Sequence, residues 1–281
     1  MAKIHSERER TITIQGIEIF LSCPDELPLT WIGSEDVFNQ LIAAWDVIDK
    51  LDLPLNPRLV GKPGVGKTTL AYAAAKSLNQ PVFIYQCTMD TRPEDLLITP
   101  VIDKGGAIRY VASSLVTAMI EGGVSILDEG NRMGEKAWAS LAPLLDTRRY
   151  IESIVAGVKI AAHPNFRICV TTNEDASTFE IPEYIESRLQ PQIFLDFPEA
   201  EEEKAILKST LPFVEDAIID YVVAFLQQAH LADCRYTIRD GINIARYAAK
   251  RLERVETGDP QPILRQSISM TLGDEALEHA L

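Results

Sequence analysis

GKPGVGKT, at residues 61–68, is the stretch of this 281-residue chain that decides its fold. A glycine, four free positions and then Gly-Lys-Thr is the spacing of a phosphate-binding P-loop. Gly64 and Gly66 permit backbone conformations that a Cβ would forbid, so successive N–H groups can surround phosphate oxygens. Lys67 can reach the β- and γ-phosphates, and the Thr68 hydroxyl can ligate Mg²⁺. The motif therefore predicts that the chain binds a nucleoside triphosphate.

The residues on either side of this loop fit the same interpretation. Residues 57–60 are a short apolar entry, and residues 69–76 are strong helix formers. A loop between a strand and a helix places the phosphates at a helix N-terminus, where unpaired N–H groups and the helix dipole favour an anion. A chance glycine-rich turn would not explain this context. The predicted nucleotide-binding residues of the motif are Pro63, Gly64, Val65, Gly66, Lys67, Thr68 and Thr69.

The composition is that of an ordinary globular protein, with 46% hydrophobic and 24% charged residues. No apolar run approaches the length of a membrane span, and the first ten residues are charged where a signal peptide would be apolar. Cys87 and Cys169 lie within apolar runs, so we expect buried, reduced thiols in a cytoplasmic protein. The four histidines are dispersed and show no metal-ligand spacing.

The net charge of −14 and the pI near 4.8 bear on the partners of the protein. A protein that follows nucleic acid needs a basic footprint, which this composition does not supply. The overall charge leaves open whether an oligomer of this chain has a local basic stripe. The charge therefore favours a protein partner and makes nucleic acid a less favoured one.

The order of apolar runs along the chain predicts an α/β fold followed by helices. Short apolar runs separated by helical stretches are typical of a parallel sheet buried on both faces. The predicted strands after the P-loop are Pro81–Cys87, Val124–Leu127, Phe166–Thr171 and Gln192–Phe197. Beyond them we expect helices over Glu199–Leu211, Val214–Ala232, Ile238–Glu256 and Pro262–Leu281.

Three segments have the alternation and glycine turns of β-hairpins. Thr11–Leu21 turns at Gln-Gly, Leu97–Val111 turns at Lys-Gly-Gly, and Arg149–Ala162 alternates more weakly about a glycine. The second and third are inserts that a minimal α/β core does not need. A helix is expected to begin at Ser34, with apolar residues at helical spacing as far as Ile48.

Two adjacent carboxylates follow the apolar run Val124–Leu127. Neighbouring residues of a strand point to opposite sides, so Asp128 and Glu129 can have different roles. We expect Asp128 to hold Mg²⁺ and Glu129 to orient and polarise the attacking water. A solvated acidic turn would be the better interpretation without a P-loop upstream.

Three further polar residues are candidates for the reaction. Asn173 ends a predicted strand and could help to place the water, although asparagine is also common in turns. Arg188, at the end of a predicted helix, could reach the γ-phosphate of a neighbouring subunit as an arginine finger. Arg239 opens a helix of the C-terminal region and could contact the nucleotide. Most surface arginines are merely solvated or paired.

These motifs, in this order, resemble those of the AAA+ ATPases. Residues 61–68 resemble Walker A, residues 124–129 resemble Walker B, Asn173 sensor 1, Arg188 the finger and Arg239 sensor 2. Ile32 and Gly33 resemble the element that closes the adenine pocket. The resemblance covers residues 27–255 and implies ATP and Mg²⁺ as cofactors. It implies a leader and hairpin over 1–26, an α/β nucleotide-binding domain over 27–198 and a helical lid over 199–281.

The stretch that follows the acidic pair resembles the MoxR and dynein-related group, whose Walker B motif continues Asp-Glu-x-Asn-Arg. Gly130 departs from that pattern because a β-branched or apolar residue is usual there, and Arg188 is followed by Leu189 where Phe is usual. Arg148 and Arg149 are rival candidates for the trans-acting finger. The resemblance implies a ring, usually of six subunits, and a client or adaptor protein that can carry a von Willebrand A domain.

The leading hypothesis is a ring-forming ATPase that couples ATP hydrolysis to remodelling of a partner protein. The alternative is a DNA- or RNA-translocating, helicase-like motor subunit, which the acidic charge disfavours. A P-loop kinase of small molecules would leave Glu129, Asn173 and Arg239 without a role.

Overall fold

The computed structural model describes residues 10–174, 180–254 and 260–280. It separates into two compact units. The first, here called the α/β unit, comprises the residues up to Trp31, Glu35–Val60 and Lys67–Phe194; the second, the helical unit, comprises Ile32–Ser34, Gly61–Gly66 and the residues from Leu195 onward. The predicted leader over residues 1–9, the last two residues of the predicted helix 238–256, and Leu281 lie outside the described residues.

Eleven strands lie within the described residues. They are β1 (Thr11–Ile14), β2 (Ile17–Phe20), β3 (Arg58–Gly61), β4 (Val82–Gln86), β5 (Ile98–Ile102), β6 (Ile108–Ala112), β7 (Val124–Asp128), β8 (Tyr150–Ser153), β9 (Val158–Ala161), β10 (Arg167–Asn173) and β11 (Gln192–Leu195). The predicted strands of the core are confirmed, with ends that differ by one or two residues.

The described residues also contain ten α-helices. They are α1 (Glu35–Trp45), α2 (Lys67–Ser77), α3 (Pro93–Leu96), α4 (Ser114–Glu121), α5 (Glu135–Leu141), α6 (Glu183–Glu186), α7 (Ala200–Thr210), α8 (Asp216–Leu231), α9 (Ile238–Leu252) and α10 (Gln261–Leu272). No helix among the described residues combines the length and the apolar character that crossing a membrane requires.

The α/β unit is organised around a five-stranded sheet in the order β11-β3-β10-β7-β4. β7 lies between β4 and β10 and pairs with both in parallel, so that Gln86 lies opposite Asp128. The inner strands are almost continuously buried, which is why they are apolar along their whole length. The predicted α/β fold with a parallel central sheet is confirmed. The carboxyl ends of β4, β7 and β10 meet at one edge of the sheet.

The first two predicted hairpins belong to one four-stranded sheet, in the order β1-β2-β6-β5. Gln15 and Gly16 join β1 to β2 with φ of 51° and 82°, the left-handed pair that a tight two-residue turn requires. β2 pairs in parallel with β6, and the Arg109 guanidinium lies 4.9 Å from the centre of the Phe20 ring. The sequence analysis treated these hairpins separately, because a pairing between distant segments leaves no local signal.

The third predicted hairpin is β8–β9, whose turn contains Gly157 at φ 65°. One face of the hairpin is buried, with Ile151 and Ile160, whereas Ile154 in the turn is 92% exposed. α1 is shorter than predicted. It ends at Trp45, whose indole Nε1 donates to the carbonyl of Ile168 (3.0 Å), so the inclusion of Ile48 in this helix was wrong.

Cys87 and Cys169 are free and buried, as predicted. Burial raises the pKa of both thiols, and the charge of Asp128 acts in the same direction. Both cysteines are therefore neutral packing residues.

The helical unit has its own core, to which α7, α8, α9 and α10 contribute buried side chains such as Leu207, Phe225, Ile244 and Ile268. Thr237 caps α9 by accepting from the N–H of Asp240 (3.4 Å), and the Asp240 carboxylate accepts from the N–H of Thr237 (2.8 Å). The last predicted helix is shorter than expected. It ends at Leu272 before Gly273, whose φ is 93°, and a 3-10 turn follows.

Candidate functional site

The P-loop joins β3 to α2, and its conformation depends on two glycines. Gly64 and Gly66 have φ of 82° and 95°, values that side chains other than glycine rarely adopt. Within the helical unit, a Cβ on Gly64 would lie 2.7 Å from the Cβ of Thr237, so the loop also has no room for a side chain there. Lys67 is the first residue of α2 and is only 6% exposed. The loop thus has the backbone and the cation that phosphate binding requires.

Two hydroxyl groups donate to Asp128 at the end of β7. The Thr68 hydroxyl donates to Oδ1 at 2.7 Å, and the Thr171 hydroxyl donates to the same oxygen at 2.6 Å. Hydroxyl and carboxylate oxygens are the ligands that Mg²⁺ prefers, and it usually takes one or two from the protein and the rest from phosphates and water. Among the described residues no cluster of three or more His, Cys, Asp or Glu could hold a metal alone. The Thr68–Asp128 pair fits a nucleotide-bound Mg²⁺.

Glu129 has a backbone conformation that separates its carboxylate from that of Asp128. β7 ends at Asp128, and Glu129 has φ 55° and ψ 44°, in the left-handed region. Its N–H donates to the Thr171 hydroxyl (2.9 Å). The sequence analysis expected both carboxylates on the strand; that was wrong, because a turn and not strand alternation separates them.

The Glu129 carboxylate is held by three side chains. Oε1 accepts from Nδ2 of Asn173 (3.0 Å), and Oε2 accepts from Nε2 of Gln86 (3.2 Å). Nε of Arg132 lies 2.5 Å from Oε2 as an ion pair. The structure therefore brings together two of the predicted site residues, Glu129 and Asn173. It adds Gln86 and Arg132, which the sequence analysis did not single out.

Asn131 fixes the position of Asn173. Its Nδ2 donates to the Asn173 carbonyl (2.8 Å), and its Oδ1 accepts from the Asn173 N–H (3.3 Å). Both asparagines are buried, with exposures of 7% and 9%. A pair of hydrogen bonds between buried amides aligns the end of β10 with the turn after β7, so the two polar residues of the edge form one rigid group.

Gly130 departs from the family pattern for a local reason. A Cβ at this position would lie 2.5 Å from Cγ1 of Val170 and 3.3 Å from Cζ2 of Trp138. Val170 and Trp138 are both fully buried. The volume that a β-branched residue would fill is already occupied by these two side chains.

The three candidate finger arginines have different surroundings. Arg188 follows α6; its Nη1 donates to the Tyr184 carbonyl, and its Nε lies 3.7 Å from Oδ2 of Asp146. Arg148 donates to the same carboxylate, from Nη2 at 2.7 Å. Arg149 donates to the Phe166 carbonyl (2.8 Å) and stacks over the Phe166 ring.

Arg149 is therefore held inside its own subunit. Burial lowers the pKa of its guanidinium, and the charge of Arg167 adds to this effect. Arg148 and Arg188 share one carboxylate, which leaves these two as the candidates for a trans-acting role.

The remaining predicted residues lie in the helical unit. Ile32 and Gly33 group with the P-loop residues 61–66. Arg239 is exposed in the first turn of α9, two positions after Thr237, the residue against which Gly64 packs. Arg239, Ile32 and Gly33 stay predictions from the motif resemblance.

Thr171 is the most central residue that the sequence analysis missed. Its buried hydroxyl donates to Asp128 and accepts from the N–H of Glu129. The available signal was the pair of threonines before Asn173, at the end of an otherwise apolar strand. For Gln86 the signal was its place immediately after the apolar run of β4.

Comparison with known proteins agrees with this geometry. A family model described as "AAA domain (dynein-related subfamily)" matches residues 58–189. Residues 58–189 are thus similar to the AAA domains of the dynein-related group, which agrees with the predicted AAA+ ATPase.

Two relatives and one solved structure are among the similar proteins. An uncharacterised protein of Staphylococcus haemolyticus is 29% identical over 198 residues, which cover 69% of this chain and 73% of that protein. Von Willebrand factor A domain-containing protein 8 of Mus musculus is 27% identical over 237 residues, which cover 76% of this chain and 12% of that protein. The RuvB Holliday junction branch migration motor of Thermotoga maritima has a TM-score of 0.57 at 19% identity, covering 86% of this chain and 72% of that chain. At this identity the likeness to RuvB concerns the fold alone.

Proposed function

We propose that this protein is a MoxR-like AAA+ ATPase that binds and hydrolyses ATP with Mg²⁺ in a hexameric ring and uses the energy to remodel a partner protein. One observation carries the proposal. The hydroxyl of Thr68 and the carboxylate of Asp128 lie 2.7 Å apart, and Glu129 and Asn173 are hydrogen-bonded beside them at the same sheet edge. These residues are the Mg²⁺ ligands and the general base that ATP hydrolysis needs.

Each residue of this edge has a proposed role. Thr68 and Asp128 would hold Mg²⁺, which when bound neutralises charge on the β- and γ-phosphates. Lys67 places its ammonium on the same phosphates. Glu129 orients the attacking water and accepts its proton, and Asn173 fixes the Glu129 carboxylate and the position of the water.

The hydrogen bonds at Glu129 also limit how its carboxylate can bind the attacking water. Asn173, Gln86 and Arg132 already engage both oxygens of the carboxylate. Because donors already occupy both oxygens, the attacking water must share or displace one of these contacts to reach the Glu129 carboxylate.

The proposals on assembly and partners rest on the family and the relatives. Dynein-related AAA domains imply a ring in which Arg188 of one subunit acts on the nucleotide of the next. The mouse relative carries a von Willebrand A domain by name, which supports a partner or adaptor of that kind. We further propose a cytoplasmic location, the domain organisation 1–26, 27–198 and 199–281, and the nucleotide contacts of residues 63–69.

The exposed hairpins are the proposed contacts with the partner. Ile102 and Ile108 flank the β5–β6 turn and are 74% and 62% exposed. Ile154, in the β8–β9 turn, is 92% exposed. Each turn has a second exposed apolar residue, Val101 beside Ile102 and Val155 beside Ile154. Such small apolar patches could contact a polypeptide without a charge that selects one sequence.

The test compares Glu129→Gln with the wild type. The amide keeps the shape of the side chain but cannot accept a proton, and its NH2 group replaces an oxygen that accepts from a donor. ATP binding should persist, because none of these contacts involves the P-loop, and turnover should fall at least about 100-fold. Glu135→Gln, an exposed glutamate in the first turn of α5, is the matched control and should retain turnover. Turnover near the wild-type rate in E129Q would mean that the base lies elsewhere. E129Q with ATP should also retain the partner in a pull-down.

The alternative function, a nucleic-acid motor, has one supporting observation, the fold of the RuvB motor. The net charge of −14 opposes it. Stimulation of ATP turnover by DNA or RNA, falling steeply with salt, would favour the motor, and stimulation by a captured protein would favour remodelling.

A further inference from the structure

Within the part of the chain that the structure describes, both candidate fingers, Arg148 and Arg188, contact the carboxylate of Asp146. Its two oxygens accept from Arg148 at Nε (3.0 and 3.1 Å) and at Nη2 (2.7 Å), and the N–H of Arg148 donates to Oδ1 (3.0 Å). Nε of Arg188 lies 3.7 Å from Oδ2. The carboxylate is only 20% exposed, against 52% for the Arg148 side chain. Asp146 is therefore held in place by Arg148, and its Oδ2 atom also faces Arg188.

The backbones of the two segments are fastened together as well. Nδ2 of Asn56 donates to the carbonyl of Leu145 (2.9 Å) and to the carbonyl of Arg188 (3.1 Å). One amide thus bridges the residue before Asp146 and the arginine that faces it. The distance between Asp146 and Arg188 is consequently set by the fold and not by two flexible side chains alone.

The charges of this group suit a finger that acts on an anion. Two guanidinium groups face one carboxylate, so the group has a net charge of +1. The hydrogen bonds from Arg148, its charge and that of Arg188 lower the pKa of Asp146, which keeps the carboxylate ionised at neutral pH. Without it, two neighbouring cations would repel each other and Arg188 would lose one of the two groups that hold it.

Arg188 is restrained at both ends of its guanidinium. Nη1 donates to the Tyr184 carbonyl one turn earlier, and Nε faces Asp146. Among the described residues these contacts engage Nη1 and Nε, and Nη2 is the group that we assign to a phosphate. Arg148, in contrast, donates to Asp146 from both Nε and Nη2. This bidentate geometry holds a guanidinium more firmly than a single hydrogen bond does.

We propose that Asp146 is a positioning residue that holds Arg188 in the orientation from which it acts on the nucleotide of a neighbouring subunit, and that Arg148 serves to fix Asp146. The inference rests on the proposed function, because it needs a ring in which Arg188 acts in trans. It also selects Arg188 over Arg148 as the finger.

The experiment is a double-mutant cycle on the full chain, measured as ATP turnover. Arg188→Ala should lower kcat by about 10³–10⁵-fold, the range for removal of an arginine finger. Asp146→Asn should lower kcat by about 10–100-fold, the effect of misplacing a catalytic group by about 1 Å, with KM within about threefold of wild type. In the Arg188→Ala background, Asp146→Asn should have no further effect. Asp216→Asn, which breaks a surface pair with Lys208 (2.8 Å), is the matched control and should retain turnover.

A second experiment mixes two variants and tests whether Arg188 acts in trans. Asp146→Asn subunits keep their own P-loop, and Lys67→Ala subunits keep their own Asp146 and Arg188. Mixed in equal amounts, the two impaired proteins should therefore show more turnover than the sum of their separate activities, a result that a merely structural role of Asp146 would not produce.

Three results would overturn the inference, and they differ from one another. Normal turnover of Arg188→Ala would show that Arg188 is not the finger. If Arg188→Ala loses turnover and Asp146→Asn does not, Arg188 can still be the finger, but Asp146 does not position it. A further loss when Asp146→Asn is added to Arg188→Ala would show that Asp146 acts independently. If Asp146→Asn does not fold, Asp146→Glu keeps the charge, shifts the carboxylate by one methylene, and enters the same cycle with the same expectations.

Discussion

Gly130→Ala is the smallest change that tests the packing beneath the catalytic edge. Gly130 follows Glu129 and is not in the left-handed region, so its backbone would accept an alanine. The only obstacle is space. The new Cβ would lie 2.5 Å from Cγ1 of Val170 and 3.3 Å from Cζ2 of Trp138, where carbon atoms in contact normally lie about 3.5–4.0 Å apart.

The size of the effect follows from these distances. Val170 is β-branched and fully buried in β10, so its methyl group cannot rotate away, and relief requires a backbone shift of about 1 Å. Overpacking of this kind costs about 1–3 kcal/mol, and the loss of glycine freedom in the unfolded chain offsets about 0.4–1 kcal/mol. We expect a net loss of about 1–2 kcal/mol, or about 2–8 °C in Tm for a unit of this size. Because Glu129 is the adjacent residue, kcat should fall by about 10-fold or more.

Thermal unfolding and ATP turnover of four proteins complete the test: wild type, Gly130→Ala, Val170→Ala and the double variant. Val170→Ala removes the methyl groups that obstruct the new Cβ, so the double variant should be more stable than the two single losses predict, by about 1–2 kcal/mol. Gly134→Ala is the control, because a Cβ there meets nothing within 4 Å, and it should change stability by less than about 1 kcal/mol. A Gly130→Ala protein as stable and active as wild type would refute the reasoning.

Three further predictions concern binding, the partner surface and pH. Lys67→Ala should abolish ATP binding in calorimetry, since it removes the cation that begins α2; undiminished affinity would contradict the P-loop assignment. Ile102→Thr with Ile108→Thr should leave Tm and basal turnover unchanged, because both side chains are exposed, yet in the Glu129→Gln background the pull-down should lose its partner; the same set of captured proteins would exclude this hairpin. Burial raises the pKa of Glu203 to about 7, above the value of 4.5 that it has in the unfolded chain. The stability that the protonated carboxyl group contributes is therefore fully present below about pH 4.5, and it is lost as the pH rises to 7. The free energy of unfolding should fall by up to about 3 kcal/mol between pH 5 and 9 in wild type and not in Glu203→Gln, as urea titrations at each pH would show; parallel profiles would contradict a buried, protonated Glu203.

The parts of the site that the sequence predicts are those fixed by strand ends. Thr68 lies in the first turn of α2, which follows β3 across the P-loop, and Asp128 and Asn173 end buried parallel strands. Since the carboxyl ends of such strands meet at one edge, their proximity follows from the order of apolar runs alone. The same reasoning explains why Gln86 joins them: it lies opposite Asp128 in the register of β4 and β7.

The parts that the sequence does not predict depend on contacts between distant segments. Asn56 bridges the carbonyls of Leu145 and Arg188. β2 pairs with β6 although Ile19 and its partner Tyr110 are far apart in the sequence. Neither pairing has a periodicity or a spacing of its own. The proposed choice between Arg148 and Arg188 has no signal in the sequence for the same reason, because Asp146, on which we base it, looks like any polar residue of a turn.

Glu129 shows how such long-range contacts act on the chemistry. A non-glycine residue in the left-handed region costs on the order of 1–2 kcal/mol, and Glu129 has this conformation at φ 55°. The hydrogen bond from its N–H to the buried Thr171 hydroxyl offsets part of that cost, and Thr171 is placed by the parallel pairing of β10 with β7. Gly130 then lets the chain pass beneath Val170 without displacing β10. The orientation of the Glu129 carboxylate is therefore decided by a threonine 42 residues later and by the absence of a methyl group one residue later. Neither contribution is visible in the Asp-Glu motif itself.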